Sequence, residues 1–128
     1  MKFNEATKNR PAGDRVLDAP QLYVDIEQHI EILKAEEAWQ KNDRNAMTIF
    51  KSDNISMVLV ALHDGATLLP QEVNSLVTAQ VLEGNISFES SQGVKTLKEK
   101  DIVVLHANEP FNATAVEDAL LLLTVFSE

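Results

Sequence analysis

From Leu22 to Glu27 the chain alternates apolar and polar residues, Leu-Tyr-Val-Asp-Ile-Glu, which predicts a half-buried strand. The period then lengthens. Ile26, Ile30 and Leu33 fall at i, i+4 and i+7, Ile32 and Trp39 extend the apolar face, and Glu27, Gln28, Glu31, Lys34, Glu36, Glu37, Gln40 and Lys41 supply the wet side. This spacing predicts a helix to about Lys41, stopped by Asn42-Asp43. Strands and turns follow. Ala46–Lys51, a Ser-Asp-Asn turn and Ile55–Leu62 read as a hairpin. Met57 to Leu62 is apolar at every position, so that strand should be covered on both faces. Val77–Leu82, Ile86–Glu89, Val94–Leu97, Ile102–Leu105, Asn112–Val116 and Leu120–Phe126 then succeed one another, with turns at Glu83-Gly-Asn85 and Ser90-Ser-Gln-Gly93. Many short strands at such spacing predict a sandwich or a barrel. There is no internal repeat. Ahead of this pattern, residues 1–19 are polar, contain Pro11-Ala-Gly13 and end at Ala19-Pro20, which predicts a loose arm.

Composition narrows the partners. A chain of 128 residues is one domain by size, and its 45% apolar and 24% charged residues are those of an ordinary globular protein. The formal charge of −9, with no cluster of Lys and Arg, excludes phosphate-driven nucleic-acid binding and disfavours anionic membranes. Without cysteine there is no disulfide, thiolate nucleophile or Cys-ligated metal. Met1–Arg10 lacks the apolar core of a secretory signal, and no apolar run approaches the roughly 20 residues of a membrane helix. The expectation is a cytoplasmic protein, in which the sequons at Asn54, Asn85 and Asn112 are chance matches.

The stretch Gly65–Thr124 carries a more specific pattern. Gly65 is followed after five residues by Gln71, then by Val73 and Val77, and after six more by Gly84. A second frame starts at Lys100, reaches His106 after five residues, and continues through Asn108 to Phe111. The phrasing resembles the small single-domain cupins (RmlC-like jelly-roll proteins). Their first motif has the form G-x5-H-x-H-x3,4-E-x6-G and their second G-x5-P-x-G-x2-H-x3-N. The likeness extends to Trp39 in the helical lead-in and to the tail Glu117-Asp-Ala-Leu-Leu-Leu-Leu123, covering residues 20–126. It implies an all-β, single-domain, cupin-type double-stranded β-helix, with the N-terminal strand and helix at 20–42 and the barrel at 45–126.

On this frame the family's two first histidines fall on Gln71 and Val73, its glutamate on Val77 and its last histidine on Phe111. First-row divalent metals take imidazole, carboxylate or thiolate donors, which Val and Phe lack and a neutral Gln amide replaces poorly. The resemblance therefore implies a barrel without the metal and without a cofactor. Its candidate pocket is lined by Gln71, Val73, Val77, Ala79, Phe111 and His106, and suits a small apolar ligand anchored by one polar group. The first reading is a non-catalytic binding or regulatory module, with no catalytic residue assigned. The alternative is a metal-free acid–base isomerase or lyase using His106 and a nearby carboxylate, which requires His106 to point into the cavity beside a second titratable group. A third reading, a purely structural or interaction module, requires the interior to be filled.

Other residues read as structural. His63 is a turn residue bonded to backbone, with a relocated metal site between His63 and His106 as the sharper option. His29 and the pair Glu36-Glu37 are solvated helix positions. Phe111 reads as core packing and Trp39 as a staple between helix and barrel. Tyr23 lacks the adjacent barrel histidine that an epimerase-type acid would need. No G-x-S-x-G elbow or Gly-rich phosphate loop occurs. The edge at Leu22–Ile26 is suited to pair with the sheet of a second copy, which predicts a homodimer.

Overall fold

From Arg44 onward, most of the described residues lie in paired strands. The computed structural model describes residues 3–4, 15–16, 20–68 and 75–126. The elements are β1 (Phe3–Asn4), β2 (Arg15–Val16), α1 (Ile26–Ala35), α2 (Glu37–Lys41), β3 (Arg44–Lys51), β4 (Ile55–Leu62), β5 (Thr67–Leu68), β6 (Leu76–Glu83), β7 (Ile86–Ser90), β8 (Gly93–Leu97), β9 (Ile102–Leu105), β10 (Phe111–Ala115) and β11 (Ala119–Phe126). β1 and β2 pair with each other; the other strands form a five-stranded sheet ordered β3-β4-β11-β6-β9 and a four-stranded sheet ordered β5-β10-β7-β8. All these pairs are antiparallel. The architecture is the all-β jelly roll that the cupin resemblance implies, within the sandwich-or-barrel class that the strand spacing predicts.

β4 shows why a strand can be apolar at every position. Its Val60 and Leu62 belong to the core between the two sheets, together with Val81, Ile86, Phe88, Leu97, Ala113 and Leu121. Its Leu59 and Ala61 belong to a second core, where Ile30, Leu33 and Trp39 of the helices cover the outer face of the large sheet. Successive side chains point to opposite faces of a strand, so both faces of β4 are buried, as predicted.

The N-terminal lead-in differs from its reading. Among the described residues, 22–25 pair with no strand, although alternation predicts one. Asp25 instead caps a helix. Its carboxylate accepts the Gln28 N–H at 3.1 Å, so Ile26 opens α1. Tyr23, 84% exposed, has no sheet to pack against. The predicted single helix is two: Glu36 leaves helical geometry with ψ 148 and starts α2. Ile32 is 44% exposed and does not extend the apolar face. Glu36, read as solvated, is buried, because Asn45 on β3 donates Nδ2–H to its Oε1 at 2.8 Å and to the Leu33 carbonyl at 2.9 Å. The wet-side pattern holds for Glu37, which pairs with Lys41 one turn on.

Candidate ligand pocket

The inner faces of the two sheets meet in tiers set by register. Deepest, next to the Gly65 and Gly84 turns, lie Val81 with Leu121 and Val60 on the large sheet, and Ala115 with Ile86 and Leu97 on the small one. The middle tier aligns Ala79 with Val103 and Leu123, facing Ala113 and Phe88. At the far end Val77 stands opposite Leu105 and Val125, and Phe111 opposite Ser90.

The structure therefore puts Val77 and Ala79 inside the barrel, 7% and 9% exposed, and brings Phe111 to the same end of the interior. Phe111 stacks on Phe88 at 5.6 Å between ring centroids, packing against the core as its sequence context suggested. Gln71 and Val73 lie outside the described residues. His106 joins nothing: it follows Leu105 into an exposed turn, and its ring makes no hydrogen bond among the described residues.

The frame itself is visible in the backbone. Gly65 and Gly84 have φ of 88° and 83°. Lys100 and Asn108, which stand at glycine positions of the second motif, have φ of 77° and 66°, also left-handed. At Gly84 a Cβ would collide with the Asp118 carbonyl and approach the Ala119 Cα to 2.9 Å. The turn from Lys100 docks on β6, with Lys100 N–H bonding the Val81 carbonyl at 2.8 Å and Val81 N–H that of Asp101 at 3.0 Å.

His63 sits at the opposite end of the barrel from His106. Its ring stacks on Trp39 at 3.5 Å, with Nε2 2.7 Å from the Trp39 carbonyl oxygen and Nδ1 3.4 Å from Asp118 Oδ1. It staples α2 to the barrel rather than joining His106. Among the described residues no three His, Cys, Asp or Glu side chains are grouped to hold a metal. The hydrocarbon side chains of Val77 and Phe111 do not fit the metal of the resembled family.

The two seams between the sheets differ. On one side the Arg44 guanidinium bonds the Thr67 carbonyl at 2.8 Å while gripping Asp43 at 2.9 and 3.2 Å, tying β3 to β5. The Arg44–Asp43 hydrogen bond and the charge of Arg44 hold the Asp43 carboxyl below its ordinary range, and the same bond with the Asp43 charge raises Arg44. On the other side β8 and β9 are not paired, and a groove of about 450 Å³ opens between them. Its walls include Phe88, Leu97 and Val103 from the core, and Ser90, Lys95 and Asp101 at the rim. Residue patterns did not single this groove out. Its one signal is Lys95, a charge in the row of β8 that alternates with buried Leu97.

Solved structures with this architecture are numerous. A cupin superfamily protein from Desulfitobacterium hafniense superposes with a TM-score of 0.69 at 15% identity, covering 88% of this chain and 95% of that one. The fold is that of the cupins. An RmlC-like cupin from Shewanella frigidimarina gives 0.62 at 14% identity over 67% of this chain and 78% of that one. The cupin domain of an XRE family transcriptional regulator from Enterobacter cloacae gives 0.60 at 14%, over 68% of this chain and 99% of that domain. No family model matches the sequence, and no curated protein matches it either. In this cupin barrel no helix among the described residues is long and apolar enough to cross a membrane.

Proposed function

We propose that this cupin is a metal-independent, non-catalytic module that binds a small molecule at the barrel end marked by Val77 and Phe111, in the cytoplasm. One observation carries the reading. The turns of both motifs keep their left-handed backbone, at Gly65, Gly84, Lys100 and Asn108, while the motif positions that face the interior at Val77 and Phe111 carry hydrocarbon. Retained turns with apolar interior positions suit a pocket that selects by shape and desolvation, with Gln71 as the polar anchor. A cupin domain of similar fold within a transcriptional regulator supports the regulatory version of this reading. Nothing among the described residues supports acid–base chemistry by His106, since it is exposed and no titratable side chain lies within hydrogen-bond reach of its ring.

The test is elemental analysis of protein purified without chelator, followed by a thermal-shift screen of small apolar acids, amides and alcohols. Substoichiometric Zn, Fe, Mn and Ni, with at least one compound raising Tm in wild type and failing to do so in Val77→Arg, is the expected result. Stoichiometric metal bound in the barrel would overturn the reading.

A further inference from the structure

We propose that the open seam between β8 and β9 is a second ligand site, adjoining the barrel end at Val77 and Phe111, and that it takes a monocarboxylate with an aromatic or short branched body. The seam is a groove of about 450 Å³, within the range of small-molecule sites. It exists because β8 is the edge of one sheet and β9 the edge of the other, with no ladder between them. Its floor is therefore core. Phe88 and Leu97 are 6% and 5% exposed, and Val103 packs against the same cluster. Phe88 is already stacked on Phe111, which holds its ring in place as one wall for a planar apolar group.

The polar groups at the rim set the ligand's head. Lys95 lies directly across the ladder from Phe88, so it belongs to the inward-facing row of β8. It makes no salt bridge among the described residues. The other rim charge, Asp101, is engaged: its Oδ2 accepts the Lys98 backbone N–H at 2.9 Å and lies 3.6 Å from Lys98 Nζ. Ser90 Oγ accepts the Gln92 N–H at 3.2 Å, which leaves its hydroxyl hydrogen free to donate outward. Lys95 acts on Asp101 across the groove through its charge but makes no direct ion pair with it, so one cation and one hydroxyl donor face the groove, a pair that recognises a carboxylate. Asp101 sets the charge limit, because a second carboxylate on the ligand would meet it. An apolar floor, one cationic head group and an anionic far wall together select a monoanion with an apolar body.

The experiment is amide chemical-shift mapping of the full chain titrated with phenylacetate, phenylacetamide and phenylmalonate. Saturable shifts at the Ser90, Lys95, Asp101 and Val103 amides with phenylacetate are expected, with weaker binding of the neutral amide and of the dianion. Lys95→Gln should weaken phenylacetate by about fivefold, as for a partly exposed ion pair, and Lys95→Arg should retain it. Lys95 is exposed, so neither variant endangers the fold. Three results would each overturn the proposal: no saturable shift at the seam, equal binding of the amide, or Lys95→Gln binding as tightly as wild type. Shifts confined to the Val77 and Phe111 amides would overturn it too, while leaving the barrel-end reading standing.

Discussion

Lys100 and Asn108 carry the sharpest information at the scale of single residues. A left-handed backbone costs an L-residue roughly 1–2 kcal/mol, less for Asn, whose short polar side chain tolerates it. Lys100 has no such relief at φ 77°. Lys100→Gly should therefore stabilise the protein by about 0.5–1 kcal/mol after the entropic cost of glycine, whereas Asn108→Gly should be near neutral, both read from urea unfolding. Gly84→Ala runs the other way. Its Cβ would push on the Asp118 and Ala119 backbone at φ 83°, and a loss of about 2–4 kcal/mol is expected by the same measurement. These turns were legible in the sequence, since a motif's spacing survives when its glycine is replaced. Asp101 offers a pH test. The Lys98 backbone N–H, with the Lys98 charge, holds its carboxyl below the usual 3.8. A depressed folded-state value means the stabilisation is present above 3.8 and is lost as pH falls below it. The stability gap between wild type and Asp101→Asn should accordingly shrink in urea midpoints measured through that acid range.

Among the elements, the helical lead-in is where residue pattern and structure part. Asp25 is polar at a strand period and equally a good N-cap, and six residues of alternation do not distinguish the two uses. The helix has the apolar positions Ile30, Leu33 and Trp39 that its period predicts, and these form the second core. The break at Glu36 was not readable, because its cause lies on another element. Asn45 of β3 reaches both Glu36 and the Leu33 carbonyl, drawing in a carboxylate whose spacing placed it outside. Asn45→Ala removes donors from buried acceptors and should cost about 2–3 kcal/mol in unfolding free energy. Because Trp39 is the only tryptophan, its fluorescence reports this element separately from far-UV circular dichroism of the sheets. The expected result is a Trp39 transition that precedes the loss of sheet signal in the variant; coincident, unshifted transitions would contradict the role given to Asn45.

Taken as a whole molecule, the barrel leaves one face open. Ile102 and Val104 on edge strand β9 are 57% and 55% exposed, on the side of the large sheet opposite the core. We propose that a second copy packs on this outer face, leaving the β8–β9 seam open. Light scattering should give twice the 14.2 kDa chain mass at micromolar protein, and Val104→Lys should return the monomer; a monomeric wild type would end the idea. The strands β3, β4 and β6 to β11 were legible in the sequence, because a period of two and its turn residues are local properties that survive loss of the ligands, whereas the two-residue β5 has no period to read. The hydrocarbon at Val77 and Phe111 was legible as well. Whether the Glu36 carboxylate is buried, that His63 stacks on Trp39 while His106 faces solvent, and that one seam is tied by Arg44 while the other opens over Phe88 were decided only by tertiary structure. Each depends on contacts between residues distant in the chain, and no local period encodes which edge of one sheet will meet which edge of the other.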